Sequence, residues 1–141
     1  MKTLIMKQIH RLFPSLIFQE RLFSKKATIN KDLLFETQKL REIDSQGLKW
    51  SLKNYPGGYT SYGSLCELHK MSSTFDELRK KLDRSVAKYV KALEMDIKAK
   101  DLQICSMWVN IMPPGVTHTM HIHPLSVISG TYYLQIPKDT R

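Results

Sequence analysis

Cysteine is nearly absent from this chain. The only two, Cys66 and Cys105, lie far apart, which excludes a disulfide framework and every cysteine-based metal spacing. Cys105 falls inside an apolar run and reads as a small buried hydrophobe, so a reducing, cytoplasmic compartment is expected. Long apolar runs are also missing. The first 23 residues carry no acid before Glu20, but Lys7, His10 and Arg11 interrupt the apolar stretch and no small-residue cleavage site follows. That pattern is too short and too charged for a membrane span and argues against a secretory leader, with a mitochondrial presequence as the alternative. Acids are scarce: 13 Asp+Glu stand against 22 Lys+Arg, for a net charge of +9. Such an excess favours acidic partners: nucleic acid, an anionic membrane or an acidic substrate. Its carriers, Lys25-Lys26, Arg79-Lys80-Lys81, Lys98 and Lys100, are scattered and read as a solvated surface. With no recognition motif present, nucleic-acid binding is not the favoured expectation.

There are no internal repeats or low-complexity tracts, and 141 residues make one domain. Phe13 to Leu22 reads as a first strand, with Pro14 near its start where a missing amide is tolerated. Asn30 reads as a helix cap, Leu33, Leu34, Leu40 and Ile43 as one apolar helical face, and Gly47 as the helix end. Residues 50–64 are rich in Tyr, Gly, Ser and Pro and read as a loop around Pro56-Gly57-Gly58. Its aromatics, Trp50, Tyr55, Tyr59 and Tyr62, suit either stacking on a substrate or covering the core. Thr74 with Glu77 forms a capping-box pattern. It opens a helix that presents Phe75, Leu78, Leu82, Val86, Tyr89 or Val90, and Leu93 at helical spacing, running to about Lys98.

From Leu102 the apolar period changes from helical to two. Leu102 to Met112 is apolar on both faces and reads as a central strand, closed by Pro113-Pro114-Gly115. Val127 to Ile136 follows as another strand, with Ile128, Tyr132, Leu134 and Ile136 on one face and Ser129, Thr131, Tyr133 and Gln135 on the other. Between them lies the densest chemistry of the chain: His118, His121 and His123 fall within six residues, followed by Pro124. In an extended segment His121 and His123 share a face about 7 Å apart at their bases, close enough for two imidazoles to converge on one cation. By the same parity His118 faces away, so the pair is the candidate metal site and the triplet is not. Iron and zinc both accept imidazole. Alternatively, His123 merely hydrogen-bonds near the Pro124 turn.

The run Trp108-Val-Asn110, Pro114-Gly115, His121-x-His123-Pro124, Ser129-Gly130-x-Tyr132-Tyr133 and Pro137 resembles the 2-oxoglutarate/iron(II)-dependent oxygenases, in particular a small subfamily of bacterial and phage proteins. A weaker similarity touches Phe13-Pro14-Ser-Leu-Ile-Phe18. The resemblance implies an α+β fold: an incomplete double-stranded β-helix, jelly-roll or cupin-like, packed by N-terminal helices. Residues 1–100 would form the support region and residues 101–137 the core strands. It implies Fe(II) and 2-oxoglutarate as cofactors, His121 and His123 as metal ligands, and Tyr133 as a side chain reaching 2-oxoglutarate, with Asn110 a second cosubstrate candidate. Two departures stand out. The usual pair is His-x-Asp or His-x-Glu, whereas this chain has His123 in the second position. The distal ligating His and the Arg that grips 2-oxoglutarate come from later strands in the family, and this sequence stops at Arg141.

The expectation is therefore the front part of a hydroxylase-type oxygenase, truncated or degenerate, with little activity of its own. Zinc, or no metal at all, is the alternative filling of the site. The competing readings are a non-catalytic interaction module and a basic nucleic-acid binder. The substrate stays open, and the exposed edge of the last strand is a candidate surface for self-association.

Overall fold

The computed structural model describes residue 13, residues 15–24 and residues 27–137. Four α-helices, a 3-10 helix at Ala99–Asp101 and a two-stranded antiparallel sheet make up the regular structure among these residues. Helix α1 spans Ile29–Ile43 and buries Ile29, Leu33 and Thr37, one residue per turn on a single stripe. It ends at Asp44, whose backbone N–H donates to the Leu40 carbonyl. The same residue starts helix α2, Ser45–Asn54, where its carboxylate accepts from the Gly47 amide. Gly47 therefore opens a second helix instead of closing the first. A Cβ at position 47 would lie 2.0 Å from the Asp44 Oδ2 atom, so only glycine lets the capping carboxylate sit there. Helix α2 accordingly takes the first third of the expected loop over 50–64, up to Asn54.

Strand β1, Tyr59–Thr60, pairs antiparallel with β2, Asn110–Ile111, in the register Tyr59 with Ile111 and Thr60 with Asn110. Around this short ladder the two segments are stitched further. Ser61 N–H donates to Val109 O, Met107 N–H to Cys66 O, and Leu68 N–H to Met107 O. Within the expected 102–112 strand Met107 and Val109 of the odd face are buried and Asn110 is exposed, while Ile104 of the even face packs half-buried against the core. Cys105 is exposed as well, contrary to its reading as a buried hydrophobe, because residues 102–106 have left the ladder.

Helix α3, Leu68–Met71, leads into α4, Ser73–Ala92. The cap of α4 is Ser72, not Thr74: its hydroxyl accepts from the Thr74 and Phe75 amides and donates to Glu36 of α1 at 2.5 Å. Starting two residues early places Phe75 and Leu78 in the core and spends Thr74 inside the first turn. The helix stops at Ala92 because Glu94 adopts a left-handed backbone, φ 52°. Residues 15–22 form no strand. They lie along α4, with the Tyr89 hydroxyl donating to Leu16 O, Phe18 against the Tyr89 ring, and Glu20 accepting from Ser85 and Lys88. Pro14 lies outside the described residues.

Ile29, Leu33, Tyr59, Leu68, Phe75, Leu78, Met107 and Val109 form one core where α1, α3 and α4 meet the β-ribbon. Tyr132 and Leu134 pack on its rim, as the apolar face of the 127–136 segment led one to expect. Tyr132 donates to Asn30 Oδ1 at 2.6 Å. No ladder forms in 127–137, however. No helix of the described residues is long and apolar enough to cross a membrane.

His69 of α3 is buried, and its Nδ1 finds no hydrogen-bond partner among the described residues. Burial first, and Lys70 second, holds the imidazole below its ordinary value, against the opposing pull of Glu67 and Asp76. The unfolded chain then takes up a proton that the folded one resists, so stability is lost as pH falls below about 6.5. Thermal melts of His69→Leu should show a flatter acid limb than the parent. An unchanged limb would remove His69 as its cause.

Candidate metal centre and adjoining cavity

The residues after β2 turn at Gly115, whose φ of 84° is a left-handed conformation open to glycine at no steric cost. From there the chain runs without ladder pairing through His118, His121 and His123, back over the end of the β-ribbon. This places the imidazoles opposite α2 and Trp108, two residues before β2. A cavity of about 170 Å³ lies between them, lined by Trp50 of α2, Tyr55 that ends α2, Thr60 of β1, Tyr62, Trp108, the three histidines and Ile122.

His121 and His123 converge. Their Nε2 atoms are 3.0 Å apart. Nδ1 of His121 sits 2.9 Å from the Thr119 carbonyl, which only accepts, so this nitrogen carries the proton and Nε2 presents its lone pair. The separation suits a shared cation. Two imidazole nitrogens each about 2.1 Å from one ion, at a right angle, stand about 3.0 Å apart. Without a metal the same contact is a hydrogen bond, His123 Nε2–H donating to His121.

His118, which strand parity sends away, belongs to the same cavity. Its ring stacks on Tyr55 at 5.1 Å and lies 4.6 Å from the His121 ring. Ring contact is not convergence of nitrogens, and among the described residues no three His, Cys, Asp or Glu side chains form a group able to hold a metal. Trp108 stacks on His123, with centroids 5.9 Å apart and 27° between planes, and meets Tyr62 edge to face with centroids 5.0 Å apart. The stack on Trp108 orients the half-buried His123 ring.

Asn110 and Tyr133 are not brought here. Asn110 is exposed in the ladder opposite Thr60, and Tyr133 is 68% exposed. Neither lines the cavity, and no Lys or Arg does. Sequence reading missed His118 because it assumed a regular strand. For Trp50, Tyr55, Tyr59 and Tyr62 covering the core is the commoner use, yet the structure puts three of them, Trp50, Tyr55 and Tyr62, on the cavity and only Tyr59 in the core.

Compared with protein families, residues 106–141 match one described as "Putative 2OG-Fe(II) oxygenase". The matched segment contains Trp108, Asn110, all three clustered histidines and Tyr133, so this end of the chain is oxygenase-like in sequence. A comparison with curated proteins gives no match.

Proposed function

We propose that residues 101–137 carry the metal-binding motif of a 2-oxoglutarate/Fe(II)-dependent oxygenase of the hydroxylase type, in which His121 and His123 are two of the metal ligands. The observation that carries this reading is the 3.0 Å approach of two Nε2 atoms, one with its lone pair fixed outward by the Thr119 carbonyl. A facial iron site needs three protein donors, two of them imidazole. The pair fits two of the three, and no third is assembled with it among the described residues. When bound, such an iron supplies dioxygen activation coupled to decarboxylation of 2-oxoglutarate.

The chain's own residues hold and shape. Thr119 fixes the tautomer of His121, and Trp108 fixes the plane of His123. The aromatic walls narrow the space beside the imidazoles. His123 in place of a carboxylate leaves the paired donors neutral, so a dianionic chelator such as 2-oxoglutarate balances the metal's charge. Binding of the two is therefore coupled, each tightening the other by the same factor. An anaerobic Fe(II) titration of the chain, with and without 2-oxoglutarate, tests this. Iron binding should tighten at least about tenfold with 2-oxoglutarate present, which is about 1.4 kcal/mol of coupling. Equal affinities would remove 2-oxoglutarate from the site.

Fold-level consequences follow from the same reading. The apolar residues Met120, Ile122, Leu125, Val127 and Ile136 are exposed along the 120–136 segment. In a jelly roll they would be covered by further strands, and a second copy of the chain is the alternative cover.

A further inference from the structure

We infer that the cavity beside His121 and His123 is a substrate subsite that takes a nucleobase of a single-stranded nucleic acid, stacked against Trp50 and Trp108. The inference rests on the oxygenase reading for the subsite's purpose, but the binding chemistry stands on the cavity itself. Four aromatic rings meet there at different inclinations, Trp50 to Tyr55 at 45° and Tyr62 to Trp108 at 65°, so flat faces are offered on more than one side. No charged side chain lines it apart from the imidazoles themselves. Its volume of about 170 Å³ is below the roughly 300–1,000 Å³ of pockets that enclose a whole small ligand, so it admits one ring of a larger ligand.

Charge decides between the two ring-loving ligand classes. An aromatic cage would also suit a methylated ammonium. That cation would sit beside a metal-binding imidazole pair, with no carboxylate in the lining, on a chain of net charge +9. A neutral base on a phosphate backbone meets the opposite field. Lys49 and Lys53 lie one turn apart on α2 on either side of Trp50 and are exposed, and neither forms an ion pair among the described residues. They are placed to meet the backbone while the base stacks, the pairing of basic track and aromatic platform that single-strand binders use.

Trp50 and Trp108 are the only tryptophans of the chain, so its tryptophan fluorescence, excited beyond the tyrosine band, reports this cavity. The test is a titration of the metal-free full chain with oligothymidylate, alongside its duplex with oligoadenylate, heparin, and a trimethyl-lysine peptide. Oligothymidylate should quench saturably, at least about tenfold tighter than the duplex, and more weakly as salt rises. Tyr62→Leu, at a position 54% exposed, should lower the affinity about tenfold with an unchanged melting temperature. Equal binding of duplex or heparin, quenching by the peptide but not the oligonucleotide, or no quenching at all would each overturn the inference. Because no metal is present, loss of quenching leaves iron binding untouched, and absence of iron binding leaves the quenching result intact.

Discussion

Replacing His121 by alanine should lower Fe(II) affinity by about a hundredfold or more while leaving the melting temperature within about 1–2 °C of the parent. Altering a residue that merely orients a metal ligand costs about 10–100-fold, and His121 is proposed to be a ligand itself. It offers the better prepared of the two nitrogens, because the Thr119 carbonyl already holds its proton on Nδ1. Folding should not notice the change. The side chain is exposed, and its contacts are one carbonyl, the neighbouring imidazoles and the cavity. Exposed substitutions of this kind usually shift stability by no more than about 0.5 kcal/mol. His118→Ala separates two versions of the site: a fall as large as that of His121→Ala would make His118 a third ligand, and a small one would leave it a stacking partner of Tyr55.

Asp44→Ala should have the largest effect on stability, about 2–4 kcal/mol. This buried carboxylate accepts from the Gly47 amide at 2.8 Å, the Tyr59 hydroxyl at 2.9 Å and the Ser64 hydroxyl at 2.5 Å. Losing the helix cap costs about 1 kcal/mol, and leaving the buried Tyr59 hydroxyl unpaired adds about 1–3 kcal/mol, whereas the half-buried Ser64 hydroxyl keeps the Ser61 carbonyl as a partner. The carboxylate joins α1, α2 and β1 at one point, so its removal loosens the frame on which Trp50 and Thr60 stand. Burial and the adjoining Asp44 push the Tyr59 phenol above its ordinary value, which keeps the hydroxyl a donor at all ordinary pH. Chemical denaturation should show Asp44→Ala losing most of the parent's margin and Asp44→Asn losing about 1–2 kcal/mol, since the amide keeps one acceptor oxygen. Equal stability of Asp44→Ala and the parent would refute the role of this hub.

Much of this arrangement is legible in the residues. The apolar steps of α4 announce its buried face, and the spacing of His121 and His123 announces their convergence, which needs only extended backbone and no ladder. What parity cannot show is His118. Residues 116–123 form no ladder, so the alternation of a regular strand, which would set His118 apart, does not govern them. Helix α2 is hidden because glycine at its third position reads as a terminator, and only the Asp44 carboxylate beside it makes glycine the required residue. The 102–112 stretch shows two apolar faces, yet full burial is reached only at Met107 and Val109, while Ile104 and Trp108 of the other face stay half-buried. Burial depends on the neighbours available, and the residues of one strand do not name them. Likewise the 15–22 segment has strand composition but finds α4, not a ladder.

X-ray absorption on the Fe(II)-loaded chain addresses the imidazole pair most directly. The outer-shell scattering should count two imidazoles at about 2.1 Å in the parent, one in His121→Ala, and one in His123→Ala. An unchanged imidazole count in both variants, or an iron shell of oxygen atoms alone in the parent, would contradict a cation held between His121 and His123.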